Sequence, residues 1–174
     1  MLAQTPVAVA SPADAVVHYG FAGASLGLDL QAWRMKRPDA MCAPSGGKSE
    51  AIVCSVADQA IGGGYRARRL AFVFLDGRLA QIRFRSSIDG FSNVVATLKQ
   101  DFGAPTVIRR DSVSLDGTNW PHVAFSWKNG RSTIQLTDPV APGNRLSVTM
   151  TLDAAAARLS DPQAPGGLGA TTAN

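Results

Sequence analysis

The segment from Phe21 to Cys54, FAGASLGLDLQAWRMKRPDAMCAPSGGKSEAIVC, limits the fold more than any other part of the chain. Asp29 stands where an N-cap carboxylate would hold the first turn of a helix, and Leu30 and Trp33 share one helical face. Arg34, Lys36 and Arg37 meet the negative end of the helix dipole, and Pro38 ends the helix. Cys42 and Cys54 then follow, 12 positions apart. Without a CxxC pair or a third and fourth ligand at zinc spacing, they read as a disulfide. Closing a loop of that length restricts the unfolded chain by about 3 kcal/mol and implies an oxidising compartment. Two free buried thiols in a reducing compartment remain the alternative at this point.

The remaining chain supplies strands and one longer helix. Ala51 to Val56 reads as a first strand after a loop from Cys42 to Lys48. Tyr65 to Leu75 and Arg78 to Ser86 form a hairpin turning at Asp76-Gly77. A three-residue loop there, with Gly77 left-handed, puts Leu70, Phe72 and Phe74 on the face of Ala80, Ile82 and Phe84. That register sets Arg69 across from Arg83. Phe91, Val94, Val95, Leu98 and Phe102 mark one stripe of a second helix, stopped by Gly103 and Pro105.

Strands follow over Thr106 to Val113, Val123 to Lys128, Arg131 to Thr137 and Arg145 to Leu152. A two-residue turn at Asn129-Gly130 collects Val123, Phe125, Trp127, Ile134 and Leu136 on one face. The fold class expected is therefore α+β: two short helices packed on an antiparallel sheet, in helix-strands-helix-strands order, with the outline of a tandem αβ repeat.

At 174 residues and 45% hydrophobic content, the chain is long enough for one domain with a substantial core. Residues 1–15 read as a flexible leader, the remnant of a secretory signal peptide, residues 16–158 as a single domain, and 159–174 as a disordered tail. No run reaches the ~20 apolar residues of a transmembrane helix. The leader and the cysteine pair together point to the periplasm or to secretion.

Phe21, Gly23, Leu26-Gly27 and Asp29 before a helix, the cysteine pair, FVFLDGRLAQIRF, and a helix ending in DFGAP resemble a known type of domain. They are similar to the β-lactamase-inhibitor-protein and BamE (SmpA/OmlA) families. The resemblance implies a periplasmic or secreted helix-and-sheet domain that binds other proteins through its sheet.

Catalytic motifs are not assembled in this sequence. Gly46-Gly47-Lys48-Ser49 suggests a phosphate loop, but the glycine that motif needs five positions before Gly47 is replaced by Cys42. Gly62 to Gly64 lacks dinucleotide-fingerprint spacing. Only His18 and His122 could serve as an imidazole base, and each reads as an edge residue. Glu50 is the only glutamate, and no His/Cys/Asp cluster has metal spacing, so neither cofactor nor metal is expected.

Charge is the informative surface property. The chain carries 17 Lys and Arg against 13 Asp and Glu, for a formal net charge of +4. Six arginines (66, 68, 69, 78, 83 and 85) crowd one segment against the single acid Asp76. That is too sparse for a nucleic-acid binder. It reads instead as an electropositive stripe, Arg69, Arg83 and Arg85 with Tyr65 as aromatic anchor and Trp120 a further candidate, or as a solvated face guarding strand edges.

The function expected is an exported, non-enzymatic binding or accessory protein: a subunit, inhibitor or assembly factor whose sheet face meets a protein partner in the cell envelope. The alternative is a module for a small anionic ligand, lipid or glycan, which leaves surface contact with a membrane open.

Overall fold

The computed structural model describes residues 18–45, 50–62, 64–115, 117–138 and 145–159. The leader, the GGKS segment and the tail lie outside them. The described chain opens with a small hairpin of β1 (Gly20–Phe21) and β2 (Ala24–Ser25). Its turn residues Ala22 and Gly23 both take positive φ, 53° and 78°, as a hairpin turn whose twist matches its strands requires.

Helix α1 (Leu30–Lys36) starts as expected, with the Asp29 carboxylate accepting the backbone N–H groups of Gln31 at 2.9 Å and Ala32 at 3.1 Å. Its inner residue Trp33 is buried against the rings of Phe72 and Phe74, at centroid distances of 4.9 and 5.3 Å.

The rest is dominated by one antiparallel sheet of nine strands. These are β3 (Met41–Pro44), β4 (Ile52–Ser55), β5 (Gln59–Gly62), β6 (Tyr65–Leu75), β7 (Arg78–Ser86), β8 (Val107–Leu115), β9 (Thr118–Lys128), β10 (Ser132–Thr137) and β11 (Leu146–Leu152). Their order across the sheet is β3-β4-β6-β7-β11-β10-β9-β8, with β5 added to the outer part of β6. Helix α2 (Phe91–Phe102) enters through a turn of 3-10 helix at Ile88–Gly90, and α3 (Asp153–Leu159) continues directly from β11.

Alternation along each strand divides the sheet into two unlike faces. The first face collects Phe72, Phe74, Leu79, Ile82, Phe84, Leu146, Val148, Met150, Ile134, Leu136, Phe125 and Trp127 into the main core, closed by α1, α2 and the β1–β2 hairpin. Trp127 donates its indole N–H to the Gly103 carbonyl at 2.8 Å, which ties the end of α2 to the sheet. On the second face a small apolar cluster of Ala51, Val73, Leu75 and Ala80 is covered by Ala155 and Leu159 of α3. The rest of that face carries polar side chains and has no helix over it among the described residues.

This architecture corrects the expected fold class. The chain is mostly β, with three helices among the described residues rather than two, and α3 lies on the opposite face from the other two. The halves of a tandem repeat are not laid out separately, because the last strand, β11, runs between β7 and β10 in the centre of the sheet. Several strands were missed for one physical reason: they lie at edges and bury little. Strand β3 is mostly exposed and includes Pro44, so it shows no alternation and reads as a loop.

The register of the first hairpin also differs. Leu75 pairs with Arg78, so Asp76-Gly77 is a two-residue turn with φ of 52° and 73°. A bulge leaves Ala80 unpaired between Val73↔Gln81 and Phe74↔Leu79, and it supplies the one-residue offset that a longer loop would have given. Leu79, not Ala80, therefore enters the main core. At the second hairpin Lys128 pairs with Thr133 across a wider loop. There the Asn129 side-chain oxygen accepts the N–H groups of Arg131 and Ser132. The shift is an even number of residues, so Phe125, Trp127, Ile134 and Leu136 still share a face.

Candidate binding face

The four residues expected to form one binding surface are placed in three different settings. Arg83 and Arg85 alternate with the core residues Ile82 and Phe84 on β7 and emerge on the open polar face, each half-buried. Arg69 is not across from Arg83. It sits in a second bulge, between Arg68↔Arg85 and Ala71↔Arg83, with a left-handed φ of 51°. The like-charge pair across the ladder is Arg68 with Arg85, and Arg68 is the arginine that sequence reasoning passed over. A bulge moves which residue faces which, and no spacing rule announces it.

Tyr65 belongs to the other side. It precedes Ala67, which is part of the main core, and its ring lies so close over Gly90 that a Cβ there would come within 2.6 Å of Cδ1. Trp120 is half-buried in the part of β9 that pairs with β8 alone, where its partner is Val113.

The remaining arginines of the segment are largely committed. Arg66 donates to the Asp58 carbonyl at 2.8 Å, and Arg78 to that of Gly27 at 3.4 Å. The Arg68 guanidinium is 4.0 Å from the Asp58 carboxylate. Arg83 and Arg85, by contrast, have no ion pair and no side-chain hydrogen bond among the described residues. Burial pushes the Arg83 guanidinium below its ordinary pKa, and the neighbouring charge of Arg85 adds to the effect.

From Arg83 a row of polar side chains runs across the sheet. The pairings Arg83↔Thr149, Thr149↔Gln135 and Gln135↔Ser126 place one residue on each of β7, β11, β10 and β9. The rows on both sides are internally bonded. Gln81 donates to Thr151 at 3.1 Å, Thr133 to Asp153 at 2.7 Å, and Thr137 and Ser147 share a hydrogen bond of 2.7 Å. Thr149, Gln135 and Ser126 make no side-chain hydrogen bond among the described residues.

Two hollows of about 280 and 260 Å³ indent this face and meet at Gln135. Lys128 lines the first and Arg109 the second. Arg109 is paired with Asp111 at 3.0 Å. A larger hollow, about 510 Å³, lies between the β1–β2 hairpin, β5 and α2. It is wide open, its walls are mainly small residues of the hairpin, and its only ionisable group is Asp101. Size favours that hollow, whereas charge and unspent hydrogen-bonding groups favour the polar face, and it is those groups that select a ligand.

The cysteines behave as the spacing suggested. Cys42 and Cys54 face each other on β3 and β4 and form a disulfide with a Cα separation of 4.0 Å. His122 Nδ1 lies 2.6 Å from Asp138 Oδ1, without the in-line geometry of a hydrogen bond. The same carboxylate oxygen accepts the Val123 N–H at 3.1 Å. Among the described residues no hydroxyl or thiol is hydrogen-bonded to this imidazole, and the His122–Asp138 pair sits where β9 leaves β10, beside the backbone bond from the Asp138 N–H to the Val123 carbonyl. No group of three or more His, Cys, Asp or Glu among the described residues could hold a metal ion. Among them, no helix is long and apolar enough to cross a membrane.

No family model, curated protein or solved structure matches this chain. Its reading rests on its own residues.

Proposed function

We propose that this chain is a non-enzymatic binding or accessory protein of an oxidising compartment, periplasmic or extracellular. It docks the acidic surface of a protein partner on the arginine end of its open sheet face. The observation that supports this reading is the uncompensated pair Arg83 and Arg85. Two half-buried guanidinium groups with no carboxylate partner among the described residues cost the free protein stability, and an incoming anion offsets that cost. Arg68 stands across the ladder from Arg85, with its own charge partly offset by Asp58 at 4.0 Å. The disulfide is consistent with the compartment. Exported domains that bind through a sheet, the type the sequence resembles, use the same general surface.

The test is capture from an envelope or culture-supernatant extract with the wild-type chain and with Arg83→Glu/Arg85→Glu on the same support. A partner retained by the wild type and lost from the variant is the expected result. Equal retention by both would reduce the arginine pair to a solvated face. The unspent row Thr149, Gln135 and Ser126 beside Arg83 favours a second reading, in which the same face takes an anionic ligand of glycan chemistry.

A further inference from the structure

The geometry points to an acidic oligosaccharide, a short chain of uronic acid sugars, as the ligand of the row Arg83–Thr149–Gln135–Ser126. This inference rests on the second reading above and names its ligand. Four strands contribute one side chain each, and at the usual interstrand distance of about 4.8 Å the row is about 14 Å long. Hydroxyl, amide and hydroxyl follow one another at that interval, each able both to donate and to accept. A sugar chain presents hydroxyls of the same dual character at a comparable repeat, so successive residues can meet successive strands.

Arg83 closes one end of the row with a planar fork that matches a sugar carboxylate through two parallel hydrogen bonds. Arg85, two residues along β7, and Lys128, on the flanking row, add positive charge without occupying the row itself.

The competing ligands fit less well. An extended acidic peptide places same-face side chains at about twice the β rise, roughly 6.6 Å, out of step with the strands. Protein interfaces are anchored by aromatic side chains in pockets, and single-stranded nucleic acid is held by aromatic stacking. The row contains no aromatic residue. In the flanking rows Gln81 is bonded to Thr151, Thr137 to Ser147 and Thr133 to Asp153, whereas Thr149, Gln135 and Ser126 have no side-chain hydrogen bond among the described residues.

The experiment is calorimetric titration of the full chain with an oligogalacturonate of several sugars and, in parallel, with a polyglutamate of similar charge. The variants are Thr149→Val, Gln135→Ala and Arg83→Lys, each first shown by melting to be folded. The inference expects the oligogalacturonate to bind and each variant to weaken it about tenfold, the value of one lost hydrogen bond to the ligand. Arg83→Lys is included because it keeps the charge and removes only the fork. Failure of the oligogalacturonate to bind at millimolar concentration, or binding indifferent to Thr149→Val and Gln135→Ala, overturns the inference. So does polyglutamate binding as tightly and with the same dependence on the row, which would assign the face to an acidic protein segment. The first two outcomes leave the docking of a protein partner through Arg83 and Arg85 to stand or fall on its own capture experiment.

Discussion

Arg68 stands directly across the β6–β7 ladder from Arg85, and Arg83 lies two residues further along the same face. Like charges at a cross-strand position cost up to about 1 kcal/mol. Arg85→Gln removes one member of the pair and relieves Arg83 as well. The unfolding free energy should rise by about 0.5–1 kcal/mol at low salt, and the gain should shrink as added salt screens the wild-type repulsion. Urea melts at two ionic strengths measure both effects. A variant less stable than wild type at low salt would mean that Arg85 is held by contacts of its own.

The disulfide joins β3 to a strand whose inner residue Cys54 is fully buried in the main core. Its removal by Cys42→Ala/Cys54→Ala should lower stability by about 2–3 kcal/mol, the cost expected for freeing a short closed loop. Chemical denaturation with and without reductant should show the same loss in the wild type and none in the variant. Among the described residues β3 is hydrogen-bonded in the sheet along β4 alone, so it should also be the first strand to gain hydrogen exchange on reduction.

What the sequence conveys and what it withholds divide along burial. Helix α2 is recovered to the residue because Val94, Val95 and Leu98 are buried at helical spacing. Helix α1 is recovered because Asp29 caps it and Trp33 faces inward. The centre of the sheet is legible through alternation in β10, β11 and the part of β7 beyond its bulge, from Gln81 to Ser86. Edge strands β3 and β5 and the small β1–β2 hairpin bury too few side chains to leave a period. The sheet also has two faces with different tasks, and α3 covers part of the second with little more than Ala155 and Leu159. An Ala-rich turn at the end of the chain gives no hint of that.

The site is half legible on the same grounds. Arg83 and Arg85 follow from alternation around Ile82 and Phe84, whereas Arg69 was displaced by a bulge and Tyr65 by the parity of β6. The row Thr149–Gln135–Ser126 could not be read at all, because it exists only once β11 is known to lie between β7 and β10. Sequence order places β7 and β11 far apart, and only the topology makes them neighbours.

Helix α3 is fastened to the β6–β7 turn by Arg158, which donates to the Asp76 carboxylate at 2.6 Å. That hydrogen bond, aided by the charge of Arg158, holds the Asp76 carboxyl below its ordinary pKa. A carboxylate depressed in the folded state contributes stability that is complete above the unfolded value, near pH 4, and is lost as pH falls through the folded value. Asp76→Asn keeps a side chain that tolerates the left-handed turn position and removes the charge. Its stability should therefore vary less than that of the wild type between about pH 4 and pH 2. Because both groups are exposed, the difference should be small and should fade at high salt. Parallel acid titrations followed by circular dichroism would show it, and coincident acid limbs would mean that the pair contributes nothing to holding α3.

Tyr65 and Gly90 make a close packing demand between β6 and the entry to α2. The Gly90 backbone is in an ordinary conformation, with φ of −84°, so an alanine there is not strained by its dihedral angles. The difficulty is space: the added Cβ would meet the Tyr65 ring at 2.6 Å from Cδ1 and 2.8 Å from Cγ, atoms near the root of the ring that cannot swing aside without moving the strand. Gly90→Ala should cost about 1–3 kcal/mol, the scale of overpacking in a close-packed interior. Tyr65→Leu in the Gly90→Ala background should recover part of that loss, because the smaller side chain vacates the contact. Tyr65→Phe keeps the ring and should change little, since the Tyr65 hydroxyl makes no hydrogen bond among the described residues. Retention on a polyanion column should be unchanged by Tyr65→Phe and reduced by Arg83→Glu, because the two side chains leave the sheet on opposite faces. A loss of retention with Tyr65→Phe would return that residue to the binding surface and overturn the division of labour between the two faces.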